Sequence, residues 1–263
     1  MADPRLSLIV PAFNCAAYIA DHVARITAAL EQEGWPFEVL VVCDGSTDGT
    51  AAAARRDNDP RVQVIRCEEN GGKGAAIVHG LAAARGALIG WLDADLDIAP
   101  ETICHAARVF ERRPVDGVLG SKRHPDSRVH YPLVRRVYSI GYQQLTRALF
   151  RVGVRDTQVG AKVFRREVAD TIAPLLLVKR YAFDLEFLAV SVQFGFDRFE
   201  EVPVEIGERI FGSSVNWQAV WKTLIDTAAV AYRIHIRHWY VRRFAAQHRR
   251  RLDQASPPIP SSR

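Results

Sequence analysis

Cysteine is scarce in this chain. The four present, Cys15, Cys43, Cys67 and Cys104, lie far apart, and no C-x-x-C pair or Cys/His zinc spacing occurs. A disulfide framework and a structural zinc site are therefore excluded as organising features. The thiols read as reduced, mostly buried side chains of a cytosolic protein. Long apolar runs are missing too. The nearest approach, 217–234, is interrupted by Lys222, Asp226 and Arg233, so no transmembrane helix is expected. The N-terminal "MADPRLSLIVPAFN" passes from a short apolar run straight into polar residues, and no signal peptide is expected. Two nucleotide-binding fingerprints fail. The spacing G-x-x-x-x-G-K-[ST] is absent because Gly74 follows Lys73 where Ser or Thr is required, and the first turn offers no G-x-G-x-x-G. There is no internal repeat. The net charge is only +5, a mild basicity that suits a phosphorylated substrate, a membrane surface or nucleic acid without choosing among them.

What is present is an alternation. Hydrophobic residues make up 48% of 263 positions, enough for one large domain or one domain with an appendage. Strand-length apolar runs at 6–12, 37–44, 61–67, 87–94 and 115–122 alternate with helical patterns at 15–33, 46–56, 72–86 and 99–113. Asn14 is placed to cap the first helix and Ser46 or Thr47 the second, while Pro100 sits in the first turn of the fourth. Runs apolar on both faces predict an α/β fold, a mostly parallel sheet with helices on both sides. Further along, 132–151 reads as helix, 154–168 as short strands around a turn, 182–195 as helix and 196–206 as strand. Residues 216–251 form a long helical pattern with room for a break, and the tail "SPPIPSSR" reads as disordered.

In open α/β sheets, ligands bind beyond the carboxyl ends of the strands. Asn14, Asp44 and the run Asp93–Asp97 each fall just past a predicted strand end. In "GWLDADLD", Asp93, Asp95 and Asp97 stand two apart, so on a strand they share one face. Carboxylates side by side repel. A divalent cation or a bound ligand would relieve this, and so would a solvated acidic turn. Ordinary turn chemistry explains the glycines of "CDGSTDGT", while Asp44 at the sheet edge also suits a base or ribose contact. "NGGKGAA" leaves Lys73 at a helix N-terminus, where a diphosphate is favoured. The run "SKRHPDSRVHYPLVRRVYSIGYQQ" carries Lys122, Arg123, Arg128, Arg135 and Arg136. It is either a solvated helix face or, since it starts at the end of the fifth strand, a set of cations near the sheet edge.

The ordered set "PAFN", "DGSTDGT", "GKGAA", "DADLD", "GSK", "RDTQVGAKVF", "AFDLE" and "ERIFGSSV" resembles family 2 glycosyltransferases of the Rossmann-like GT-A fold. Within them it resembles the dolichyl- and polyprenyl-phosphate glucosyl- and mannosyltransferases, over roughly 5–215. The resemblance implies an inverting, metal-dependent transferase. It would move a hexose from a nucleotide-sugar, UDP-glucose favoured over GDP-mannose, to a polyprenyl or dolichyl phosphate. By the same resemblance, Pro11, Phe13, Asn14 and Asp44 hold base and ribose, and Asp93 touches ribose or diphosphate. Asp95, with Asp97, binds Mg²⁺ or Mn²⁺, and Gln158 lies near the transferred sugar. Lys122, Arg135, Ser139 and Arg209 receive the acceptor phosphate. Three positions depart from the family pattern: Cys15 and Cys43 stand where acids are frequent, and Val215 stands where Lys is frequent.

A phosphate acceptor is already anionic and needs only cations to orient it. A hydroxyl acceptor, on a polysaccharide or small molecule, needs a base. Asp156, Asp184 and Glu186 are the candidates, the last two being better suited to buried pairing with nearby arginines. The C-terminal segment mixes Trp217, Trp221, Trp239 and Tyr240 with Arg237, Arg242, Arg243 and Arg249–Arg251. Such a mixture suits peripheral attachment at the cytoplasmic face of a membrane, or an amphipathic helix that covers the core. A nucleic-acid-binding reading is disfavoured because no recognised motif accompanies the basic residues. The expected organisation is a transferase domain over 1–215, an amphipathic basic helical segment over 216–252 and a disordered tail over 253–263.

Overall fold

The apolar runs become the strands β1 (Leu6–Ala12), β2 (Phe37–Asp44), β3 (Val62–Cys67), β4 (Leu88–Leu92) and β5 (Gly117–Ser121), joined by β6 (Ala161–Arg165) and β7 (Phe199–Pro203). The structure is a computed structural model that describes residues 3–127, 133–179, 182–205 and 217–255. One sheet runs in the order β3-β2-β1-β4-β6-β5-β7. β6 is antiparallel to β4 and β5, and the remaining pairs are parallel. Every residue of β2, β4 and β5 is buried, because helices lie on both faces. α1 (Ile19–Glu31) packs on α4 (Glu101–Arg112) and on the short α2 (Thr50–Ala53). α3 (Lys73–Ala83) and α6 (Arg166–Ile172) both pack on α7 (Phe183–Gln193), and α5 (Leu133–Phe150) packs on α7 as well. This is the mostly parallel, helix-covered sheet that the apolar runs predict.

Several boundaries differ from the sequence reading. The first helix begins at Ile19 rather than residue 15, because the Cys15 N–H is taken by Thr50 Oγ1 at 2.8 Å and the Ala16 N–H by Asp48 Oδ2 at 3.0 Å. Asn14 is therefore not its cap; with φ at +47°, it accepts the Thr47 N–H at 2.9 Å and ties the first loop to the second. The second helix shrinks to one turn. The fourth strand stops at Leu92, two residues early. The stretch 154–168, expected to form short strands around a turn, yields the single strand β6, and 166–168 already belong to α6.

The C-terminal pattern is broken. α8 (Trp217–Ala231) and α9 (Trp239–Ala255) are separated by a π-helical turn, Tyr232–Ile236, and by His238 at φ +47°. α8 packs on α5 and α7, where Tyr142 Oη and Thr227 Oγ1 lie 2.9 Å apart. α9 packs through Tyr240, which is fully buried, and through Phe244, whose ring meets Phe194 at 5.1 Å. Tyr240, expected among membrane-facing aromatics, is thus a core residue. Among the described residues, the bulky apolar side chains left largely exposed here are instead Trp221, Ile225, Tyr232, Ile236 and Val241. The tail beyond residue 255 lies outside the described residues.

Candidate active site

The strand order reverses between β1 and β4: β2 and β3 lie to one side of β1, and β4 lies on the other. Loops leaving such a switch point diverge and open a crevice. A cavity of about 340 Å³ occupies it, lined by Pro11, Ala12, Phe13, Cys15, Tyr18, Asp44, Asn70, Gly72, Lys73, Ala76, Asp93, Ala94 and Asp95. Six expected site residues, Pro11, Phe13, Asp44, Lys73, Asp93 and Asp95, are brought together here. Phe13 is 50% exposed, a large aromatic face on a wall that a planar base can stack against.

Asp44 is almost fully buried, and its two carboxylate oxygens accept the Gly71 and Gly72 N–H groups at 2.9 and 2.7 Å. It thereby fixes the loop that delivers Lys73. Lys73 Nζ lies 2.7 Å from Asp93 Oδ1 and 3.5 Å from Asp184 Oδ2. Behind this pair, Asp184 Oδ1 accepts Lys162 Nζ at 2.7 Å and the Trp91 indole N–H at 3.1 Å, with Lys162 fully buried. Burial pulls the Lys73 ammonium down, but Asp184 and Asp93 more than offset this and hold it above the ordinary lysine range. Burial lifts Asp93 above the usual carboxylate range in spite of Lys73. For Asp184, burial is overcome by Lys162 and Lys73, which hold it low. Burial lowers Lys162 even with Asp184 beside it. The expectation that Asp184 pairs with an arginine is corrected: its partners are lysines. Glu186 does have an arginine, Arg233, at 3.4 Å.

The three aspartates do not share a strand face. The Asp93 N–H donates to the Gly160 carbonyl, Leu96 N–H donates back to the Asp93 carbonyl at 3.2 Å, and Leu96 adopts φ +52°. The stretch is a turn. Asp95 Oδ1 accepts the Asp97 N–H at 3.2 Å, and Asp97 itself is exposed and off the cavity wall. Among the described residues no three His, Cys, Asp or Glu side chains converge into a ready-made cage. The donor set still fits Mg²⁺ or Mn²⁺. Such hard ions are commonly carried by one or two carboxylates together with substrate phosphates and retained waters, and Asp95 presents a carboxylate at the cavity wall.

Other expected residues are not on that wall. Asn14 is exposed on the neighbouring loop. Gln158 is exposed, with its N–H on Asp156 Oδ1 at 3.2 Å. Lys122 follows β5, two strands from β4, hence roughly 10 Å along the sheet. Arg135 and Ser139 lie on α5, but their side chains are outside the described residues, as are Arg209 and Val215 altogether. Cys15 and Cys43 are buried thiols, the latter pushed up to about 11 by burial, so neither is a nucleophile near neutral pH. The sequence reading missed Tyr18, Asn70 and Gly160. At Gly160 any Cβ would collide with the Asp93 carboxylate. It also missed Lys162, although a lone charge inside the apolar "AKVF" run signals a buried partner.

The profile of the family described as glycosyl transferase family 2 matches residues 7–173. A dolichyl-phosphate beta-glucosyltransferase of Trichomonas vaginalis is 29% identical over 96% of this chain and 75% of its own length. A dolichyl-phosphate beta-glucosyltransferase of Drosophila melanogaster is 33% identical over 71% of this chain and 62% of its own. Among solved structures, glucosyl-3-phosphoglycerate synthase from Mycobacterium tuberculosis, in complex with Mn²⁺, UDP-glucose and phosphoglyceric acid, superposes with a TM-score of 0.67. It is 18% identical and aligns over 87% of this chain and 80% of that one.

Proposed function

The chain belongs to glycosyl transferase family 2, and from that premise we propose that it transfers glucose, with inversion, from a nucleotide-sugar to dolichyl phosphate or another polyprenyl phosphate. UDP-glucose is the donor we favour, with GDP-mannose as the alternative. The observation that carries this reading is the cavity at the β1–β4 switch point, which joins an aromatic wall, a lysine at a helix N-terminus and three aspartates. The names of relatives aligned over most of the chain support the sugar and the acceptor.

The parts divide the work. Phe13 stacks on the base, and Asp44 holds the loop before α3 so that Lys73 faces the diphosphate. Lys73 is charged, and its attraction to a leaving nucleoside diphosphate grows as the sugar–oxygen bond breaks. Asp95 would carry Mg²⁺ or Mn²⁺, which when bound neutralises charge on the same leaving group. Asp93, lifted by burial and steadied by Lys73, borders ribose or diphosphate. We assign the acceptor phosphate to Lys122, Arg135, Ser139 and Arg209, and the neighbourhood of the transferred sugar to Gln158. No proton need be removed from a phosphate oxygen. The sequestration of two of the three candidate bases accords with this: Asp184 and Glu186 are buried in ion pairs and hydrogen bonds and do not line the cavity.

Attachment to the membrane that holds the lipid is assigned to α8. Trp221, Ile225, Tyr232 and Ile236, all more than half exposed, recur at intervals of four, seven and four and so share one side of α8 and the turn after it. Among the described residues no helix is long and apolar enough to cross a membrane. Peripheral binding at the cytoplasmic face is the mode proposed, with Lys222 and Arg237 next to the stripe in sequence. The donor half of the reading is tested by melting. UDP or GDP with Mn²⁺ should raise the melting temperature through binding to the folded state, and a DNA duplex should not. A shift with DNA and none with either nucleotide would reject the donor site.

A further inference from the structure

Glu186 has no part in the transfer just described, yet its surroundings are elaborate. It is fully buried on α7, two residues after Asp184. Its Oε2 accepts the Leu177 and Val178 N–H groups at 2.9 and 2.7 Å. Its Oε1 accepts the Tyr240 hydroxyl at 2.5 Å and lies 3.4 Å from Arg233 Nη1. The donors come from three places: the loop before α7, the π turn and α9. A satisfied buried carboxylate is often no more than an anchor. What separates this one is where the loop leads.

Lys179 directly follows Val178, and its carbonyl accepts the Gly74 N–H at 2.8 Å. Gly74 is the second residue of α3, where an N–H has no partner within the helix, so this bond fixes how α3 begins. The approach is close: a Cβ on Gly74 would stand 2.5 Å from Phe183 Cδ2 at the head of α7. Lys73, one residue earlier, presents its ammonium to Asp93 in the cavity. A continuous path of bonds thus runs from Tyr240 through Glu186, the 177–179 loop and Gly74 to Lys73. The family match ends at residue 173, so most of this path lies beyond it.

We propose that Glu186 is a positioning residue for Lys73. By joining α9 and the π turn to the 177–179 loop, it makes the seating of the C-terminal helices govern affinity for the donor diphosphate. This rests on the reading of the cavity as the donor site. Spatial continuity alone does not establish coupling, and a double-mutant cycle measures it.

Tyr240→Phe removes one donor without changing shape, Arg233→Met is the second probe of the same junction, and Lys73→Met removes the residue at the far end. UDP with Mn²⁺ is titrated calorimetrically, up to millimolar, into the full-length wild type, the three single variants and the two doubles with Lys73→Met. Tyr240→Phe and Arg233→Met should each weaken UDP about tenfold, the range of coupling between linked residues, and should also lower kcat at saturating donor, because Lys73 steadies the diphosphate as it leaves. In the Lys73→Met background neither should weaken UDP further. Lower melting temperatures with unchanged UDP affinity would reduce Glu186 to an anchor and overturn the proposal. Equal weakening with and without Lys73 would also overturn it. A wild type that binds no nucleoside diphosphate would reject the donor site first, and this inference with it.

Discussion

Lys73 and Lys162 share two carboxylates, Asp93 and Asp184, in a line from the cavity to the core. The members nearest solvent are free to trade partners with a ligand, whereas Asp184 is closed in by Lys162, Lys73 and Trp91. Two substitutions separate these roles. Asp184→Asn leaves Lys162 buried beside a neutral amide, and breaking such a pair costs about 3–5 kcal/mol. In a chain of this size that is a fall in melting temperature of roughly 10 °C. Asp95→Ala should leave the melting temperature within about 2 °C, since among the described residues its side chain holds only the Asp97 N–H, at 3.2 Å, and changes of that kind are small. Its turnover should fall at least about a hundredfold, because a lost metal ligand forfeits several kcal/mol of charge stabilisation. Thermal melts and initial rates on both variants check this. A stable Asp184→Asn without activity would make Asp184 a participant in the chemistry, and an active Asp95→Ala would end the metal assignment.

The α8 stripe gives the element scale its test. Ile225→Glu puts a charge in the middle of the exposed apolar row and should lower binding to anionic liposomes about tenfold or more, since burying one such side chain is worth roughly 1.5–3 kcal/mol. Flotation at low and high salt measures it, and unchanged binding would leave α8 with no membrane role. How far the elements were legible in the sequence follows from where their partners lie. β1, β2, β4 and β5 are apolar on both faces because both faces are covered, so their runs announce them. β6 was legible only as one of several short strands over 154–168, because Lys162 interrupts its run, and nothing local says that a late strand inserts antiparallel between β4 and β5. The start of α1 depends on Thr50 and Asp48, more than thirty residues away. The site divides in the same way. Asp44, Lys73, Asp93 and Asp95 follow strands or open a helix and could be read locally. Gly160 and Lys162 reach the site only through tertiary folding. The period-two reading of the aspartates failed because Leu96 turns the backbone into the left-handed region.

Across the whole molecule, ion pairs tie the start of β2 to the loop before β4 and the residue before β5 to the residue before β7, and they set the acid limit of the fold. Burial would raise Glu38 and Asp116. Ser7 and Arg85 around the first, and Arg198 beside the second, instead hold both below the usual carboxylate range. Their contribution is present above the unfolded value of about 4 and is lost as pH falls through the lower folded values. Glu186 has the opposite sign: burial raises it, so its part of the stability declines as pH rises from about 4 toward its folded value. Melts from pH 7 to pH 3 should therefore be nearly level at first and fall steeply below about pH 4. A melting temperature unchanged at pH 3 would mean that these pairs contribute nothing. The transfer itself is tested most directly by identifying the product. Purified protein, UDP-glucose, Mn²⁺ and a short polyprenyl phosphate should yield one glucosyl-phosphate lipid per UDP released, with the β configuration at the sugar, as seen by mass spectrometry and NMR. Transfer only to a free hydroxyl, or none from any nucleotide-sugar, would contradict it.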